Sequence, residues 1–350
     1  MTLALAPLCA FAVDGIPFVA HRGECAIAPE NTIAAFQATI DAGGSAFECD
    51  LHLTIDNEIV IMHDGNTGTT TDSNLVISAS TLAQLKALDA GYKKGAAFIG
   101  ERIPTLQETL VFAQDGRKLF LEIKCGVGIM PRLMPRLVEI IAATPAATPE
   151  NIVFICFDEP IIAEIRQQFP TYQALLLLHT QTQASHAITA AKRCDATGID
   201  MCDGTVVNSN FVAAVHAEGL SFHVWNVNNV SDFGRAVTLL SYGVESVTSN
   251  NAGHFAGLLA SIISNIGAYH TMDQMRDMQP GFAFIEAEPS TGNFNLTMQL
   301  QTKESLNSAA EWQPLPLAPT AVETLPDGKI QLNVPPVGNT GFYRLKAADL

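Results

Sequence analysis

The sequence predicts a (β/α)8 barrel of the TIM type, followed by a small all-β module. Between residues 17 and 266, short apolar runs alternate with segments of helical periodicity, as βα units require. Eight such runs within roughly 250 residues match the usual size of a closed barrel. After residue 267 the helical rhythm stops, and apolar residues recur at every second position.

The structural alternative is a doubly wound open sheet, which usually carries a glycine-rich phosphate loop after its first strand. No such loop follows residues 17–21, so the barrel is favoured. The predicted strands are residues 17–21, 46–51, 118–124, 151–157, 174–179, 197–201, 221–227 and 244–249. Predicted helices include residues 32–42, 105–114, 160–168, 209–218 and 231–241.

One irregularity follows the second strand. Residues 58–63 are predicted to form an extra strand, and a long polar stretch then separates it from the helix at residue 105. Because this connection is far longer than an ordinary loop, residues 65–103 are expected to form a small inserted subdomain at the C-terminal rim of the barrel.

The C-terminal residues predict a β module over 267–350. Residues 294–300 and 330–334 alternate strictly between apolar and polar side chains, and prolines punctuate the segments around them. The module carries no recognisable chemistry, and its partner is left open. Just before it, residues 255–266 predict an amphipathic surface helix, because serines and an asparagine interrupt the apolar run. No stretch reaches the roughly 18–20 apolar residues of a membrane helix.

The first twelve residues predict a signal peptide. They are apolar and end in Ala10-Phe11-Ala12, a small-residue pattern typical of a signal-peptidase site. No lysine or arginine precedes Arg22, so the usual positive start is missing. We expect residues 13–266 to form the barrel of an exported protein, periplasmic or secreted. If residues 1–12 are instead a first strand, the protein is cytoplasmic.

Composition excludes several classes of function. The chain has 19 lysines and arginines against 35 acidic residues, which gives a net charge of −16. This charge disfavours binding to nucleic acids and to anionic membranes. The seven cysteines occur without a CxxC pair, which excludes a zinc ribbon and is too few for a disulfide scaffold. To bind an anionic small-molecule substrate, the protein would need a metal ion or a few clustered basic side chains.

Candidate site residues lie at the strand ends, where barrels carry their chemistry. Taken singly, each has an ordinary explanation: a solvated strand face, a structural or rim histidine (as for His52), an ion pair, or core packing. These separate explanations do not account well for the whole set, because successive strands place acids, bases and histidines at one rim. The candidates are His21, Arg22, Glu48, Asp50, His63, Glu122, Lys124 and Trp225.

Residue types in this set point to phosphodiester cleavage. Glu48 and Asp50 are two apart on one strand and share a face. With Glu122 they make three carboxylates without a histidine or cysteine, which suits one hard divalent cation, Mg²⁺ or Ca²⁺, rather than zinc. Two histidines can exchange protons as general acid and base, and the arginine and lysine can hold an anion.

The segments that carry these residues closely resemble the glycerophosphodiester phosphodiesterase family. They follow the family's order over about residues 17–260, and the ordered set is highly specific although each piece alone is weak. They are Val19-Ala20-His21-Arg22-Gly23, Ala28-Pro29-Glu30-Asn31-Thr32-Ile33-Ala34-Ala35-Phe36, Phe47-Glu48-Cys49-Asp50-Leu51, Val60-Ile61-Met62-His63-Asp64, Ile103-Pro104-Thr105-Leu106, Leu121-Glu122-Ile123-Lys124 and His223-Val224-Trp225-Asn226-Val227-Asn228.

The resemblance implies a TIM-type barrel with the family's insertion after the second strand. It also implies attack of the glycerol 2-hydroxyl on phosphorus, giving a cyclic phosphate that water opens to glycerol 3-phosphate, with release of an alcohol. The roles it implies are metal ligands at Glu48, Asp50 and Glu122, acid and base at His21 and His63, and phosphate contacts from Arg22 and Lys124. Trp225 is added as a candidate substrate-binding residue.

The sequence departs from the family pattern in three places. Thr69 stands before Thr70-Thr71 where the family usually has an arginine, and Asn226 replaces a threonine after the tryptophan. The eighth strand ends in Ser249-Asn250 where the family has Thr-Asp. We expect these changes to affect substrate choice and to touch neither the metal nor the proton-transfer groups.

Two alternatives are kept. One is a phospholipase D-like enzyme with the same centre, acting on lysolipids or sphingolipids. The other is a barrel that binds a phosphodiester or a surface glycan without turnover, although pure binding has no need of a histidine pair. The headgroup, the choice of cation, the assignment of acid and base, the oligomeric state and any disulfide pairing are left open.

Overall fold

The computed structural model describes residues 17–179 and 181–269 and six strands of the C-terminal module. Side chains are described as far as residue 260, except at residues 180–182. The predicted signal peptide, residues 1–12, lies outside the described residues, so export stays a prediction. The described residues divide into two units, the first ending at Ile262 and the second beginning at Ile263. The predicted boundary after residue 266 lies four residues later, within the helix Ala252–Tyr269.

Eight parallel strands of the described chain close into a barrel, which confirms the predicted fold class. β1 pairs with both its neighbours, through Ala20 opposite Phe47 on one side and opposite Ser249 on the other, and this closes the sheet. The strands are β1 (Phe18–Ala20), β2 (Ala46–Leu53), β4 (Lys118–Ile123), β5 (Ile152–Cys156), β6 (Gln173–Leu178), β7 (Gly198–Cys202), β8 (Ser221–Trp225) and β9 (Ser246–Ser249). Strand β3 (Ile59–Ile61) is the predicted extra strand and pairs antiparallel with β2.

Helices connect the strands in this part of the chain. They are α1 (Ile33–Asp41), α2 (Leu82–Lys86), α3 (Leu106–Leu110), α4 (Met130–Ala143), α5 (Glu159–Gln168), α6 (Ala187–Arg193), α7 (Ser209–Ala217), α8 (Phe233–Ser241) and α9 (Ala252–Tyr269). Short 3-10 turns occur at Ile77–Ala79, Ala96–Phe98, Val127–Ile129, Gln181–His186 and Val230–Asp232. No helix in the described ranges combines the length and apolarity needed to cross a bilayer.

The helix predicted over residues 105–114 is shorter in the structure. It starts as expected, because Thr105 and Glu108 form a reciprocal capping box. It ends at Leu110, and the chain then reverses at Asp115 and Gly116, both with positive φ (55° and 77°), to enter β4. The predicted amphipathic helix at 255–266 lies within α9, where Phe255 and Leu259 are buried and His254 is exposed.

The barrel interior is filled by apolar side chains below the site. Inward-facing residues of β1, β2, β4, β5 and β6 form one buried cluster, on which Trp225 packs. Such a filled interior fixes the strand ends and the polar groups they carry. The cluster consists of Val19, Ala46, Phe120, Val153, Ile155, Leu175 and Leu177.

The insertion between β3 and α3 has its own small core. Ile77, Leu85 and Leu88 from the insertion pack with Val60 and Met62 at the end of β3. This packing holds the polypeptide that follows β3 against the barrel rim, where His63 lies.

The C-terminal module is all-β in its described residues. Strand β11 (Phe294–Lys303) pairs antiparallel with β10 (Phe284–Ala287), β12 (Gln313–Pro314) and β15 (Phe342–Ala347). Strands β13 (Val322–Thr324) and β14 (Ile330–Leu332) form a separate antiparallel pair. Both alternating segments singled out in the sequence, 294–300 and 330–334, therefore overlap strands.

Candidate active site

Three carboxylates converge at the C-terminal ends of β2 and β4. Asp50 lies directly opposite Glu122 in the strand register, and Glu48 is two residues earlier on the same face of β2. Each offers an oxygen, and these atoms all lie within 4.8 Å of one another. The structure thus brings together the three residues predicted as metal ligands.

Burial and repulsion act on this cluster in different ways. Burial, together with the charges of Asp50 and Glu122, holds the pKa of Glu48 well above its ordinary value. Burial and Asp50 likewise raise the pKa of Glu122 to about 7. Burial acts in the same sense on Asp50, but Lys124 and Arg22 outweigh it and lower the pKa of that carboxyl. The protein alone therefore does not hold all three groups ionised.

Two cationic side chains flank the acids. The Arg22 guanidinium Nε lies 3.6 Å from Asp50 Oδ2, and Arg22 also donates to Glu30 Oε1 at 2.9 Å. Lys124 Nζ donates to Glu122 Oε1 at 2.9 Å and lies 3.6 Å from Asp50 Oδ1. Both predicted phosphate-binding residues thus lie beside the carboxylates.

A salt-bridge network alone does not satisfy the cluster. With Glu30 included, two cations face four carboxyl groups, so the two basic side chains cannot neutralise all four in their ionised form. Glu48 receives the Arg22 backbone N–H on Oε2 at 2.9 Å, but its buried Oε1 has no hydrogen-bond partner among the residues that the structure describes. A buried, unpaired carboxylate oxygen is costly. An all-oxygen donor set with one unsatisfied oxygen fits a hard divalent cation.

The loop after β1 is shaped to hold this arrangement. Arg22 and Asn31 both adopt φ of 57°, and the Asn31 backbone N–H donates to the Arg22 carbonyl at 2.9 Å. Asn31 Nδ2 donates to Asp50 Oδ2 at 2.7 Å, and the Asp50 N–H donates back to Asn31 Oδ1 at 3.3 Å. At Gly23, φ is 76° and a Cβ would approach Ala35 to 2.7 Å, so only glycine fits. No role was predicted for Asn31 from the sequence.

The two predicted catalytic histidines each have one fixed ring nitrogen. His21 Nδ1 lies 2.7 Å from Asn250 Oδ1, which can only accept, so Nδ1 carries the proton and Nε2 is left with a lone pair. Burial and the nearby Arg22 charge lower the pKa of His21 to about 4. His63 Nδ1 lies 2.8 Å from Asp64 Oδ1, a carboxylate oxygen that accepts its hydrogen bond. Both rings therefore present Nε2 as the reactive atom.

Hydrogen bonds behind His63 orient it further. Thr69 Oγ1 donates to Asp64 Oδ2 at 2.6 Å and fixes the carboxylate that faces the imidazole. His52 Nε2 lies 3.1 Å from the His63 carbonyl oxygen. His52 is therefore a supporting residue at the rim, which agrees with the ordinary explanation given for it.

The expectation that the departures from the family pattern touch no proton-transfer group is wrong at Asn250. Asn250 is hydrogen-bonded directly to His21, because the pairing of β1 with β9 places the residue after Ser249 beside it. Thr69 is one hydrogen bond removed from His63. Asn250 does carry the same signal as the predicted residues, a polar side chain immediately after a barrel strand.

Trp225 lies at the end of β8, above the apolar interior. Its indole Nε1 donates to the Asp200 carbonyl at 3.3 Å, and its ring contacts those of Phe157 and His179. Trp225 therefore takes part in core packing and is also at the mouth of the barrel. Neither Phe157 nor His179 was predicted, although both stand at strand ends.

Asp200 is a buried carboxyl that was not among the candidate residues predicted from the sequence. It lies on β7, is 2% exposed, and its Oδ1 has no hydrogen-bond partner among the described residues. Burial, and to a smaller extent the charge of Glu122, raise its pKa to about 8. The folded protein therefore keeps this group protonated at neutral pH.

We expect Asp200→Asn to stabilise the protein at alkaline pH. The pKa of Asp200 rises from 3.8 to about 8 on folding. Its contribution to the stability of the folded state is therefore full below about pH 4 and is lost as the pH rises to about 8. The melting temperature of the variant minus that of the wild type, measured in EDTA, should be at least about 3 °C larger near pH 9 than near pH 5. Asp41→Asn, at an exposed position, is the control. Equal differences at both pH values would contradict this account.

Comparison with known proteins agrees with this geometry. Residues 21–254 match the glycerophosphoryl diester phosphodiesterase family. A glycerophosphodiester phosphodiesterase of Caldanaerobacter subterraneus subsp. tengcongensis is 30% identical over 67% of this chain and 93% of its own length. One from Bacillus subtilis is 27% identical over 68% of this chain and 84% of its own.

Solved protein structures are also similar to this chain. An Oleispira antarctica phosphodiesterase, determined with the product sn-glycerol-3-phosphate, superposes with a TM-score of 0.64 at 27% identity over 70% of this chain and 96% of that one. A Silicibacter pomeroyi protein, at 23% identity and a TM-score of 0.59 over 75% of this chain and 98% of that one, shares the fold.

The fold and its rim of acids, bases and histidines define a TIM-barrel phosphoric diester hydrolase. More particularly, the chain belongs to the glycerophosphoryl diester phosphodiesterase family. The family predicted from the ordered sequence segments is confirmed.

Proposed function

We propose that the protein hydrolyses glycerophosphodiesters to glycerol 3-phosphate and an alcohol, with one divalent cation held by Glu48, Asp50 and Glu122. The observation that carries the proposal is the convergence of these carboxylates within 4.8 Å, with Glu48 Oε1 buried and without a hydrogen-bond partner in the described part of the chain. Mg²⁺ and Ca²⁺ both suit the donor set. When bound, the cation supplies Lewis-acid polarisation of a phosphoryl oxygen.

The chain's own cations bind the diester phosphate. Arg22 and Lys124 stand on either side of Asp50, so an anion at the carboxylate cluster meets a guanidinium and an ammonium. These two groups hold phosphorus in place and offset charge that develops on the phosphoryl oxygens. The sn-glycerol-3-phosphate bound to the Oleispira antarctica relative supports a substrate of this class.

The histidines move the protons. His21 Nε2, neutral because of its lowered pKa, accepts the proton of the glycerol 2-hydroxyl as that oxygen bonds to phosphorus. His63, beside the Asp64 carboxylate, donates its Nε2 proton to the oxygen of the departing alcohol as the phosphorus–oxygen bond breaks. In the second step water bonds to phosphorus and gives its proton to His63, while His21 returns its proton to the 2-oxygen as the ring opens.

Two other functions were kept open by the sequence, and no contact at the site favours either. A phospholipase D-like enzyme on lysolipids or sphingolipids would use the same centre. A barrel that only binds would have no need for two imidazoles with free Nε2 atoms beside an anion site.

Turnover of a substrate panel tests the proposal. Glycerophosphocholine, glycerophosphoethanolamine and glycerophosphoglycerol are incubated with enzyme and Mg²⁺ or Ca²⁺, alongside lysophosphatidylcholine and sphingomyelin. We expect glycerol 3-phosphate from the first three and much slower reaction of the two lipids. Preferred cleavage of the lipids would support the phospholipase D-like alternative, and no turnover of any compound would support the binding protein.

A further inference from the structure

Three aromatic side chains meet at the barrel mouth, at the ends of β5, β6 and β8. The ring centroids of Phe157 and Trp225 lie 5.6 Å apart at an interplanar angle of 83°. His179 lies 5.2 Å from Trp225 at 63° and 5.4 Å from Phe157 at 31°. We call Phe157, His179 and Trp225 the aromatic platform.

The platform is exposed although it rests on the apolar interior. Trp225 packs on the buried cluster below, while Phe157 is 40% exposed and His179 is exposed as well. The indole N–H of Trp225 is already donated to the Asp200 carbonyl, so this ring offers only its π surface and edges. Aromatic rings at the entrance of a polar, acid-lined site favour a ligand group that is attracted to their π faces.

The platform lies on the same mouth as the anion-binding groups. Strand β5, which leads to Phe157, is paired with β4, which carries Glu122 and leads to Lys124. A diester whose phosphate is held by Lys124 and Arg22 therefore has aromatic rings on the side of β5.

We propose that the aromatic platform binds a quaternary ammonium headgroup, so that choline diesters of glycerol phosphate are the preferred substrates. This inference rests on the proposed function and specifies its substrate class. A trimethylammonium group has no N–H to donate and spreads its positive charge over methyl groups, which aromatic faces attract through their quadrupoles. A primary ammonium or a hydroxyl headgroup would instead need hydrogen-bond acceptors.

The ring spacing fixes how the headgroup binds. With centroids 5.2–5.6 Å apart, the three rings contact one another and leave no space between them. The cation therefore lies against the exposed outer surface of the platform, mainly on Phe157. An exposed contact of this kind gives a modest preference, about fivefold for loss of one ring.

The substitution Phe157→Leu tests the inference, because it removes the ring and keeps an apolar side chain at an exposed position. The measured quantity is the ratio of kcat/KM for glycerophosphocholine to kcat/KM for glycerophosphoglycerol. In the wild type this ratio should be above one, and Phe157→Leu should lower it about fivefold, chiefly through KM. Phe211→Leu, in which the lost ring packs on Phe222 away from the mouth, is the matched control and should keep the wild-type ratio.

Three results would overturn the inference. They are a wild-type ratio at or below one, a ratio that Phe157→Leu does not change, and an equal loss on both substrates, which would place the platform against the shared glycerol. If no diester is hydrolysed, the proposed function fails separately. Calorimetric binding of glycerophosphocholine then decides, because Phe157→Leu must weaken it about fivefold for the platform assignment to stand.

Discussion

Replacing His21 or His63 by alanine is expected to lower turnover of glycerophosphodiesters by about 100-fold or more, the usual scale of general acid–base catalysis. Each substitution removes an Nε2 atom that is held in place by one hydrogen bond, which the ring Nδ1 donates to Asn250 Oδ1 in His21 and to Asp64 Oδ1 in His63. Both histidines are at the rim, so the melting temperature should change little. His186→Ala, at an exposed position, is the control, and near wild-type turnover in either variant would remove its assigned role.

The assignment of acid and base gives this prediction a finer test. A p-nitrophenyl ester of glycerol phosphate releases a phenolate that needs little protonation. If His63 is the acid, His63→Ala should lose much less activity on this ester than on glycerophosphocholine, whereas His21→Ala should lose activity on both. The reverse pattern would exchange the two roles without affecting the reaction class.

The second large effect is expected at the carboxylate cluster. Glu48→Gln replaces the carboxylate whose Oε1 is unpartnered, and we expect it to weaken Mg²⁺ and Ca²⁺ binding by about 10-fold or more and to lower turnover at limiting metal. The metal-induced rise in melting temperature, which follows from binding to the folded state, should shrink with it.

The rival account, a salt-bridge network without metal, makes the opposite prediction. In that account Glu48→Gln changes neither metal affinity nor turnover, and added metal does not change the melting temperature of the wild type. Both accounts agree on the metal-free protein. Burial and the neighbouring acids disfavour the charged form of Glu48. The Glu48→Gln variant should therefore be at least as stable as the wild type in EDTA. Glu58→Gln, which removes an ion pair with Arg136, is the control for surface charge.

The sequence predicted the parts of the site that depend on strand periodicity. Glu48 and Asp50 share a face because side chains alternate, and they face Glu122 because parallel strands pair in register at one rim. The same reasoning placed His21, His63 and Lys124 at that rim. These placements follow from local pattern and from a general property of barrels.

Features that depend on loop conformation and long-range contact could not be read in this way. Asn31 reaches Asp50 only because two loop residues adopt positive φ, and Asn250 reaches His21 only because β9 closes the barrel beside β1. Helix α4, which buries Leu133 and Leu137, contains Pro135, and that proline weakens the helical pattern. The burial of Asp200 depends on the neighbouring strands β6 and β8, which place Leu177 and His223 opposite it in the register.

The central claim is that a divalent cation at Glu48, Asp50 and Glu122 is required for hydrolysis of a glycerophosphodiester. The most direct measurement follows glycerophosphocholine by phosphorus NMR with three samples: protein as purified, protein freed of metal by EDTA, and the same protein after Mg²⁺ or Ca²⁺ is restored. The account predicts glycerol 3-phosphate in the first and third samples and none in the second. Full-rate hydrolysis by the metal-free protein would contradict it.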